Sequence, residues 1–313
     1  MMRILITGVA GFVGAHLAHH LKSRGHQLFG TDRVAPKPSE ASFAFYPSDI
    51  CNKATISRVL VKVQPDVIYH LAGVLKSSDA NQFYTVHVLG TVALFEAIVN
   101  AGIKPNVIVT SSSAVYGHGR GNRPLTEQVK PQPITHYALS KIAQEAVALR
   151  YYRACQLPVV ITRTFNIIGP RQPPDLACSA FARQIALAEQ LRNTTTIMTG
   201  GLGAKRDFID VRDAVRAYEI VARLGQPGTI YNICSEKAVS IQQCFKVMMK
   251  MSKVALQAEV DPSRVQPNDV PIQVGSAARI RAHMGWRPKI TLSQSLQDLL
   301  NYWREAVKSH LVG

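Results

Sequence analysis

A glycine-rich turn near the start of the chain limits the fold more than any other feature. It follows a short apolar run, residues 3–7, and precedes an amphipathic stretch, residues 12–23. These two segments predict a buried strand and then a helix. Glycines permit a tight turn between them, and the N-terminus of a helix presents backbone N–H groups to an anion. The residues of this predicted phosphate-binding loop are Gly8, Gly11, Phe12, Val13 and Gly14.

Strands and helices alternate through the first half of the chain. The predicted strands after the first are Gln27–Thr31, Phe43–Tyr46, Val67–His70, Val107–Thr110 and Pro158–Thr162. The predicted helices lie near residues 53–63, from Asn81 to Ala101 and from Tyr137 to Ala154. Such alternation predicts an α/β fold built from βαβ units, with a Rossmann-like, doubly wound parallel sheet.

The pattern changes after about residue 165, where prolines and shorter elements become frequent. We therefore expect two parts. Residues 1–165 are the predicted dinucleotide-binding domain. Residues 166–313 are the predicted smaller α+β lobe, which includes a terminal helix at Leu292–Lys308 and partly re-enters the first domain.

Composition favours a globular enzyme with anionic ligands. Of 313 residues, 47% are hydrophobic and 18% are charged, which is ordinary for a globular protein. The net charge is +16, but the basic residues are dispersed, so we expect no nucleic-acid partner. No apolar run approaches the ~18 residues that span a membrane, so we expect no membrane association. Five scattered cysteines without Cys-x-x-Cys pairs indicate free thiols, a cytoplasmic location and no metal site.

Residues at the ends of the second and third strands are candidate contacts to a dinucleotide. Asp32 ends the second strand, where a carboxylate can bind an adenosine 2′-hydroxyl and favours NAD. Arg33 follows directly and can meet a 2′-phosphate instead, so NADP stays open. Asp49 and Ile50 follow the third strand, where a side chain can reach the adenine amino group. A plain cap is the alternative for Asp49.

Tyr137 and Lys141 form the candidate catalytic pair. Two residues four apart on a helix lie on one face, about one turn from each other. An ammonium beside a phenol favours the phenolate, so it lowers the phenol's pKa toward a range useful for acid–base catalysis. The same spacing occurs in ordinary amphipathic helices, so the pair alone is a weak signal.

Several motifs follow the glycine loop in a fixed order. They are His70-Leu71-Ala72-Gly73, Ser111-Ser112-Ser113-Ala114-Val115-Tyr116-Gly117, Tyr137-x-x-x-Lys141, Arg163–Gln172, Arg206–Asp213, Tyr231–Ser235 and Met284–Pro288. Together, over nearly the whole chain, they resemble the extended short-chain dehydrogenase/reductases that act on nucleotide sugars. The resemblance implies an enzyme with NAD or NADP as cofactor. It also implies a homodimer through the helices near residues 81–101 and 134–154.

The resemblance implies roles for individual residues. Tyr137 is expected to be the acid/base at the sugar C4 oxygen, and Lys141 is expected to lower its pKa and hold the nicotinamide ribose. Ser112 fills the catalytic serine position, while Ser113 is its alternative and a candidate substrate contact. Tyr137 is also an expected cofactor contact, and the remaining ones are Leu71, Ala72 and Gly73.

Ala114 distinguishes among the reactions of this family. Related dehydratases carry an acid in this segment, and its Asp and Glu positions are Ser113 and Ala114 here. A methyl group cannot abstract a proton, so 4,6-dehydration is not expected. The later motifs look most like GDP-4-keto-6-deoxy-mannose reductases, relatives of GDP-mannose 4,6-dehydratase that make GDP-rhamnose. A UDP- or GDP-hexose 4-epimerase with tightly bound NAD is the alternative, and a non-catalytic NAD(P)-binding regulatory protein is a remote one.

Three residues of the second half are expected to bind the substrate. Asn166 is expected to hold the diphosphate or the sugar through its amide. Arg206 supplies a guanidinium for the diphosphate. Arg183 faces either the nucleotide or solvent.

Two positions depart from the family pattern. His87 stands where the long helix often carries Asn, either as a structural replacement or as a group that titrates near neutrality. Gln266 stands where relatives commonly carry Arg near the nucleotide phosphates, so that charge is missing unless Arg264 supplies it.

Overall fold

The computed structural model describes residues 1–37, 43–119, 121, 123–191, 195–264 and 270–309. The strands of this part are β1 (Arg3–Thr7), β2 (Gln27–Asp32), β3 (Ala44–Pro47), β4 (Val67–His70), β5 (Asn106–Ser112), β6 (Val159–Thr164), β7 (Asn166–Ile168), β8 (Thr195–Thr199), β9 (Lys205–Asp210), β10 (Ile230–Ile233), β11 (Ala238–Ser240), β12 (Leu256–Val260) and β13 (Ile272–Gln273). The α-helices are α1 (Phe12–Lys22), α2 (Lys53–Val63), α3 (Ala80–Tyr84), α4 (Gly90–Asn100), α5 (His136–Cys155), α6 (Ala177–Leu191), α7 (Val211–Leu224), α8 (Ile241–Lys250), α9 (Ala278–Met284) and α10 (Leu292–Ser309). A π-helical turn, Thr85–Leu89, joins α3 to α4, and 3-10 turns lie at Ser113–Tyr116 and Pro262–Arg264.

The larger sheet is parallel and has the strand order β10-β6-β5-β4-β1-β2-β3. Its strands are apolar because helices cover both faces. Ile4 and Ile6 of β1 belong to the apolar cluster that includes α1 and α7. Leu5 belongs to the cluster that includes α2, α4 and α5. The predicted Rossmann-like, doubly wound parallel sheet is confirmed.

The order of strands reverses at β1, and this reversal positions the site. β2 and β3 extend to one side of β1, while β4, β5 and β6 extend to the other. In open parallel sheets, ligands bind at the carboxyl ends of the strands where the order reverses. The segments that leave β1 and β4 meet there, since the Leu71 N–H donates to the Thr7 carbonyl oxygen at 3.1 Å.

The second half of the chain builds smaller sheets. β9 pairs with β7, β11 and β13, and β8 pairs with β12. Helices α6, α8 and α10 share an apolar cluster that includes Ile185, Met248 and Leu299. β10 lies in the larger sheet, where it pairs with β6. The division of the chain at residue 165 stays a prediction.

The boundaries of most elements differ from the predicted ones by one or two residues; β6, for example, extends to Thr164. The largest difference concerns the helix predicted from Asn81 to Ala101, because the π-helical turn interrupts it. Such turns are rare and frequently lie at functional sites.

The helical stretch Ala80–Asn100 has 21 residues, and the mean hydropathy of its most apolar 18-residue window is 1.4, enough by length and composition to cross a membrane. The sequence predicted no such stretch. Polar residues such as Gln82 and Glu96 interrupt it, so no uninterrupted apolar run within it is long enough. Half of its most apolar window is buried inside the protein, as in a core helix.

Candidate active site

A cavity of about 490 Å³ opens where the order of strands reverses. The predicted cofactor contacts that line it are Gly8, Gly11, Asp32, Arg33, Asp49, Ile50, Leu71, Ala72 and Gly73. Phe12, Val13 and Gly14 form the first turn of α1, directly after Gly11. The structure thus gathers the predicted contacts from four separate segments of the chain.

Two glycines of the loop beside this cavity leave no room for a side chain. Gly8 has a φ of 74°, and a Cβ there would lie 2.7 Å from the Ala72 backbone nitrogen. A Cβ at Gly14 would collide with the Gly8 carbonyl oxygen. A diphosphate can therefore approach the first N–H groups of α1, which have no partner within the helix. These residues fit a dinucleotide cofactor.

Asp32 closes the glycine loop from the side of β2. Its Oδ2 accepts the Ala10 N–H at 3.1 Å, and its Oδ1 accepts the Arg33 N–H at 2.7 Å. The carboxylate therefore shapes the loop as well as lining the cavity. Asp49 Oδ1 accepts the Cys51 N–H at 2.9 Å, so Asp49 makes a local turn while it also lines the cavity.

One face of α5 lies against the carboxyl end of β5. The Lys141 ammonium donates to the Thr110 carbonyl oxygen at 2.7 Å. The Ser112 hydroxyl lies beside the Tyr137 phenol, where it lowers the pKa of that phenol. Tyr137 and Lys141 are four residues apart and so share a helix face. The structure therefore brings together the three predicted catalytic residues.

Burial is the main cause of the pKa shifts of Tyr137 and Lys141, the two titratable groups of this face. It raises the pKa of the Tyr137 phenol, while the hydrogen bond to Ser112 lowers it. Burial also lowers the pKa of Lys141 to about 8, while the Glu145 carboxylate raises it. The net shift of the Tyr137 pKa is therefore upward, and the Lys141 ammonium donates to other oxygens, including Gln144 Oε1 at 2.7 Å, so the expected lowering of this pKa by Lys141 stays a prediction. The phenol is held in its protonated form.

A buried ion pair joins α5 to β6. Glu145 receives two hydrogen bonds from the Arg163 guanidinium, at 2.9 and 2.7 Å. The side chains of Glu145 and Arg163 are only 5% and 4% exposed. The Ser111 hydroxyl donates to Glu145 Oε1 at 2.5 Å, and the guanidinium lies over the Tyr116 ring at 4.9 Å. Glu145 is therefore fully engaged in structure.

His87 is buried between the cavity wall and α5. Its Nε2 accepts the Val74 N–H at 3.0 Å, and its Nδ1 bonds to Ser140 Oγ at 2.8 Å. Its ring meets the Tyr137 ring edge-to-face, with 5.7 Å between centroids. Burial, and then the charge of Lys141, lower the pKa of His87 to about 2. The alternative of titration near neutrality is therefore wrong.

Ser112, Tyr137 and Lys141, with the side chains that hold them at the end of β5, form what we call the corner. The residues predicted to bind substrate lie outside it. Asn166 Nδ2 donates to the Asp207 carbonyl oxygen at 3.2 Å. Arg206 Nη1 donates to two backbone carbonyls, at 2.9 and 2.5 Å. Arg183 is exposed on α6, with its guanidinium 6.0 Å from the centre of the Trp303 ring. These residues are not among those that line the cavity.

Ser113 is buried beside β13. Its hydroxyl donates to Gln273 Oε1 at 2.9 Å, and Gln273 Nε2 donates to the Ser113 carbonyl oxygen at 3.1 Å. Ser112 rather than Ser113 therefore meets the phenol. Gln266 lies outside the described residues, and Arg264 forms an ion pair with Asp261 at 3.0 Å.

Some residues of the site were not predicted. Gln144 and Glu145 lie three and four positions after Lys141, so helical spacing was an available signal. Arg171 lines the cavity from the second half of the chain, with a φ of 70°. Gln273 gave no signal, because its partner Ser113 is 160 residues away.

Known proteins resemble this chain over almost its full length. The family model described as GDP-mannose 4,6 dehydratase matches residues 5–299. The GDP-6-deoxy-D-mannose reductase of Pseudomonas aeruginosa is 30% identical over 311 residues, 98% of each chain. The UDP-glucose 4-epimerase of Mycolicibacterium smegmatis is 29% identical over 318 residues, 97% of this chain and 99% of the epimerase. The solved structure of RMD from Pseudomonas aeruginosa complexed with NADPH is 30% identical, with a TM-score of 0.84, covering 97% of this chain and 100% of that one.

The sequence matches and the structural match span the same residues as the ordered motifs. They extend through both halves of the chain, so residues beyond 165 are part of the likeness. The chain belongs to the GDP-mannose 4,6 dehydratase family, within the extended short-chain dehydrogenase/reductases.

Proposed function

We propose that this enzyme reduces the C4 keto group of a nucleotide-linked 4-keto-6-deoxyhexose. A sugar of the GDP-4-keto-6-deoxy-mannose type, reduced to GDP-rhamnose, is the proposed substrate. The family makes the protein a nucleotide-sugar enzyme with NAD or NADP as its cofactor. The observation that carries the finer proposal is the position of Tyr137 and Lys141 on one face of α5 at the end of β5, beside Ser112 and without a carboxylate free to act as a base on the same helix.

Each residue of the corner has a role in this reduction. NAD(P)H, when bound, supplies the hydride that adds to C4. Tyr137 donates its phenolic proton to the C4 oxygen as the carbonyl bond opens, and the Ser112 hydroxyl donates a hydrogen bond to the same oxygen. The buried Lys141 ammonium stabilises the phenolate that remains until solvent reprotonates it.

The surroundings of Tyr137 argue against elimination of water. Removal of a proton next to the keto group needs a base. The equivalent position carries Ala114. Glu145 is the one acidic residue of α5, and Arg163 and Ser111 engage it completely. A reaction confined to C4 is what these groups support.

A 4-epimerase is the second candidate, favoured by the likeness to the Mycolicibacterium smegmatis epimerase. An epimerase must begin by removing the proton of the C4 hydroxyl, so Tyr137 would have to act first as a base. Burial raises the pKa of this phenol, which favours the proton donor that a reductase needs.

The second lobe is proposed to bind the nucleotide-sugar. Arg206 would bind the diphosphate, because a guanidinium donates two parallel hydrogen bonds to phosphate oxygens. Asn166 would contact the diphosphate or sugar through its amide. Arg183 and Ser113 are proposed as peripheral contacts, since Arg183 is exposed and Ser113 is bonded to Gln273.

The test is a reaction with purified protein, NADPH or NADH, and GDP-4-keto-6-deoxy-mannose. Oxidation of one NAD(P)H per ketosugar, with the GDP-deoxyhexose product identified by NMR, supports the reductase. Interconversion of UDP- or GDP-hexoses without net cofactor use would assign the epimerase instead. Salt-sensitive DNA binding without NAD(P) binding would point to a regulatory protein and overturn both.

A homodimer through α4 and α5 is part of this proposal. Leu89, Val99 and Leu139 are 58%, 42% and 46% exposed on or beside these helices. Exposed apolar side chains on adjacent helices are favourable places for association. Light scattering after gel filtration should give twice the monomer mass, and Leu139→Glu should reduce it to that of a monomer.

A further inference from the structure

Hydrogen-bond partners determine which nitrogen of His87 carries the proton. Its Nε2 receives the Val74 N–H at 3.0 Å, so this nitrogen is bare. Nδ1 therefore carries the proton and donates it to Ser140 Oγ at 2.8 Å. The Ser140 hydroxyl donates onward to the Tyr137 carbonyl oxygen at 2.8 Å. Both bonds of Ser140 thus have a defined direction.

His70 has the opposite tautomer. The Thr91 hydroxyl donates to the His87 carbonyl oxygen at 2.5 Å, while Gln144 Nε2 donates to Thr91 Oγ1 at 2.9 Å. Thr91 therefore has no proton left for His70, so His70 Nε2 must donate to Thr91 Oγ1 at 2.9 Å. His70 Nδ1 then accepts the Thr7 hydroxyl at 2.9 Å.

These bonds form one directed chain across the site. Its members, in order, are Thr7, His70, Thr91, His87, Ser140 and the Tyr137 backbone. We propose that His87 is a positioning residue, whose neutral Nδ1–H tautomer fixes Tyr137 and the first turn of α5 to the Gly73–Val74 wall of the cofactor cavity.

The chain requires that His87 stay uncharged. A protonated ring would present an N–H at both nitrogens, so Nε2–H would oppose the Val74 N–H. The titratable groups that face His87 are Lys141 and Tyr137 of α5 and His70 of β4. The Lys141 charge and His70 both lower the pKa of His87, in addition to the larger effect of burial. The fold thus protects the tautomer that positioning needs.

The ring itself adds contacts that a shorter amide lacks. It stacks on Phe83 at 6.2 Å between centroids and meets Tyr137 edge-to-face at 5.7 Å. An Asn at this position has a donor and an acceptor but no ring to fill this space. His87 therefore combines the two hydrogen bonds with packing against the reacting phenol's own ring.

The first test is a nitrogen NMR spectrum of protein with labelled histidine. His87 is assigned by its loss in His87→Phe, among the 10 histidines of the chain. We expect a protonated Nδ1, a bare Nε2 and no titration between about pH 5 and 8. A protonated Nε2, or titration in this range, would overturn the proposal without any assay of activity.

The second test is a double-mutant cycle on turnover. His87→Phe and Ser140→Ala should each lower kcat about 10- to 100-fold, since small misplacement of a catalytic group has effects of this size. The double variant should be little worse than either single one, because both break one chain. The KM for cofactor and substrate should change less than kcat, and His87→Gln should recover part of the loss. Multiplicative losses, or full activity in Ser140→Ala, would contradict positioning.

A matched control separates positioning from a general loss of a buried hydroxyl. Ser295 of α10 is also buried, and its hydroxyl donates to Asp210 Oδ2 at 2.6 Å, away from the corner. Ser295→Ala should leave kcat unchanged. The kinetic test alone rests on the proposed function: if no ketosugar is reduced, that function fails, and the NMR result still decides the role of His87.

Discussion

The candidate catalytic corner and the predicted second lobe hold their candidate functional side chains in different ways. In the corner, the Lys141 ammonium has two oxygen partners at 2.7 Å, and the helix that carries it is bound to β6 through a buried ion pair. In the second lobe, Asn166 and Arg206 are half-buried and bond to backbone carbonyls, and Arg183 is exposed. The groups of the corner are thus held by buried partners, whereas the side chains of the lobe keep access to solvent.

This difference is what we expect if the corner carries out the reaction and the lobe recognises the substrate. A preorganised site stabilises a transition state without rearrangement during the reaction. Side chains that reach solvent can change rotamer to fit the nucleotide and the sugar, at a modest cost in conformational entropy. Substitutions in the corner should therefore change kcat or fold stability, and those in the lobe should change KM.

The largest expected effect tests the corner's proton donor. Tyr137→Phe should lower kcat for ketosugar reduction about 10²- to 10⁴-fold, the range for loss of a general acid. NAD(P)H binding, followed by fluorescence, should persist. Tyr84→Phe is the matched control, because Tyr84 bonds to His136 on the exposed side of the same helices. Substantial turnover by Tyr137→Phe would assign proton donation to another group.

The second prediction concerns stability. Glu145→Gln leaves the buried Arg163 guanidinium without its counter-charge, so it should lower the free energy of unfolding by about 3–5 kcal/mol. The matched change, Glu96→Gln, breaks the exposed pair with Lys53, whose side chains are 43% and 45% exposed. It should cost at most about 1 kcal/mol. Urea unfolding of both variants checks this. Equal losses of unfolding free energy would show that the buried ion pair contributes no more to stability than the exposed one.

The third prediction is a pH profile. Burial lowers the pKa of Lys141 to about 8, so its ammonium is lost as pH rises through that value. Above it, kcat should fall about tenfold per pH unit. The raised pKa of Tyr137 keeps the phenol protonated, so the fall is due to Lys141. A profile that stays flat to about pH 10 would contradict this; Glu145→Gln should move the fall to lower pH, because Glu145 raises the pKa of Lys141.

The smallest expected effects lie in the second lobe. Arg206→Ala should raise KM for the nucleotide-sugar about tenfold, the loss of one charge-assisted contact, with kcat nearly kept. Arg183→Ala should change KM about twofold or less, since this side chain is exposed. Initial-rate measurements on both variants check the pair. A large fall of kcat in either would mean that the lobe takes part in chemistry.

The sequence predicted the first half of the fold because its determinants are local. The run Val67–His70 is a strand in the predicted and the observed structure. Gly8 and Gly14 were recognisable because no other residue fits where the loop meets Ala72 and the helix start. Tyr137 and Lys141 were recognisable from their helical spacing together with the family resemblance, and Ser112 from the resemblance alone; the structure places them together at the end of β5.

The sequence could not predict what depends on burial or on distant partners. Spacing suggested that Lys141 lowers the pKa of Tyr137, but desolvation in the folded protein has the larger effect. The pairing of Ser113 with Gln273 joins residues 160 apart and leaves no local pattern. The predicted substrate contacts stay predictions, because the direction of a side chain in the second half of the chain depends on strands assembled from several segments.

The π-helical turn Thr85–Leu89 has a consequence for the phase of the whole helix. Phe83, His87 and Thr91 are four residues apart, and each such step overshoots an ordinary helical turn by about 40°. A wider turn, with more residues per revolution, absorbs this excess and keeps all three side chains buried on one side. The alignment of His87 with Tyr137 thus depends on the number of residues between Phe83 and Thr91. Deleting one residue between Phe83 and Thr91 would rotate α3 relative to α4. A substitution does not change this count, so it could not restore the alignment.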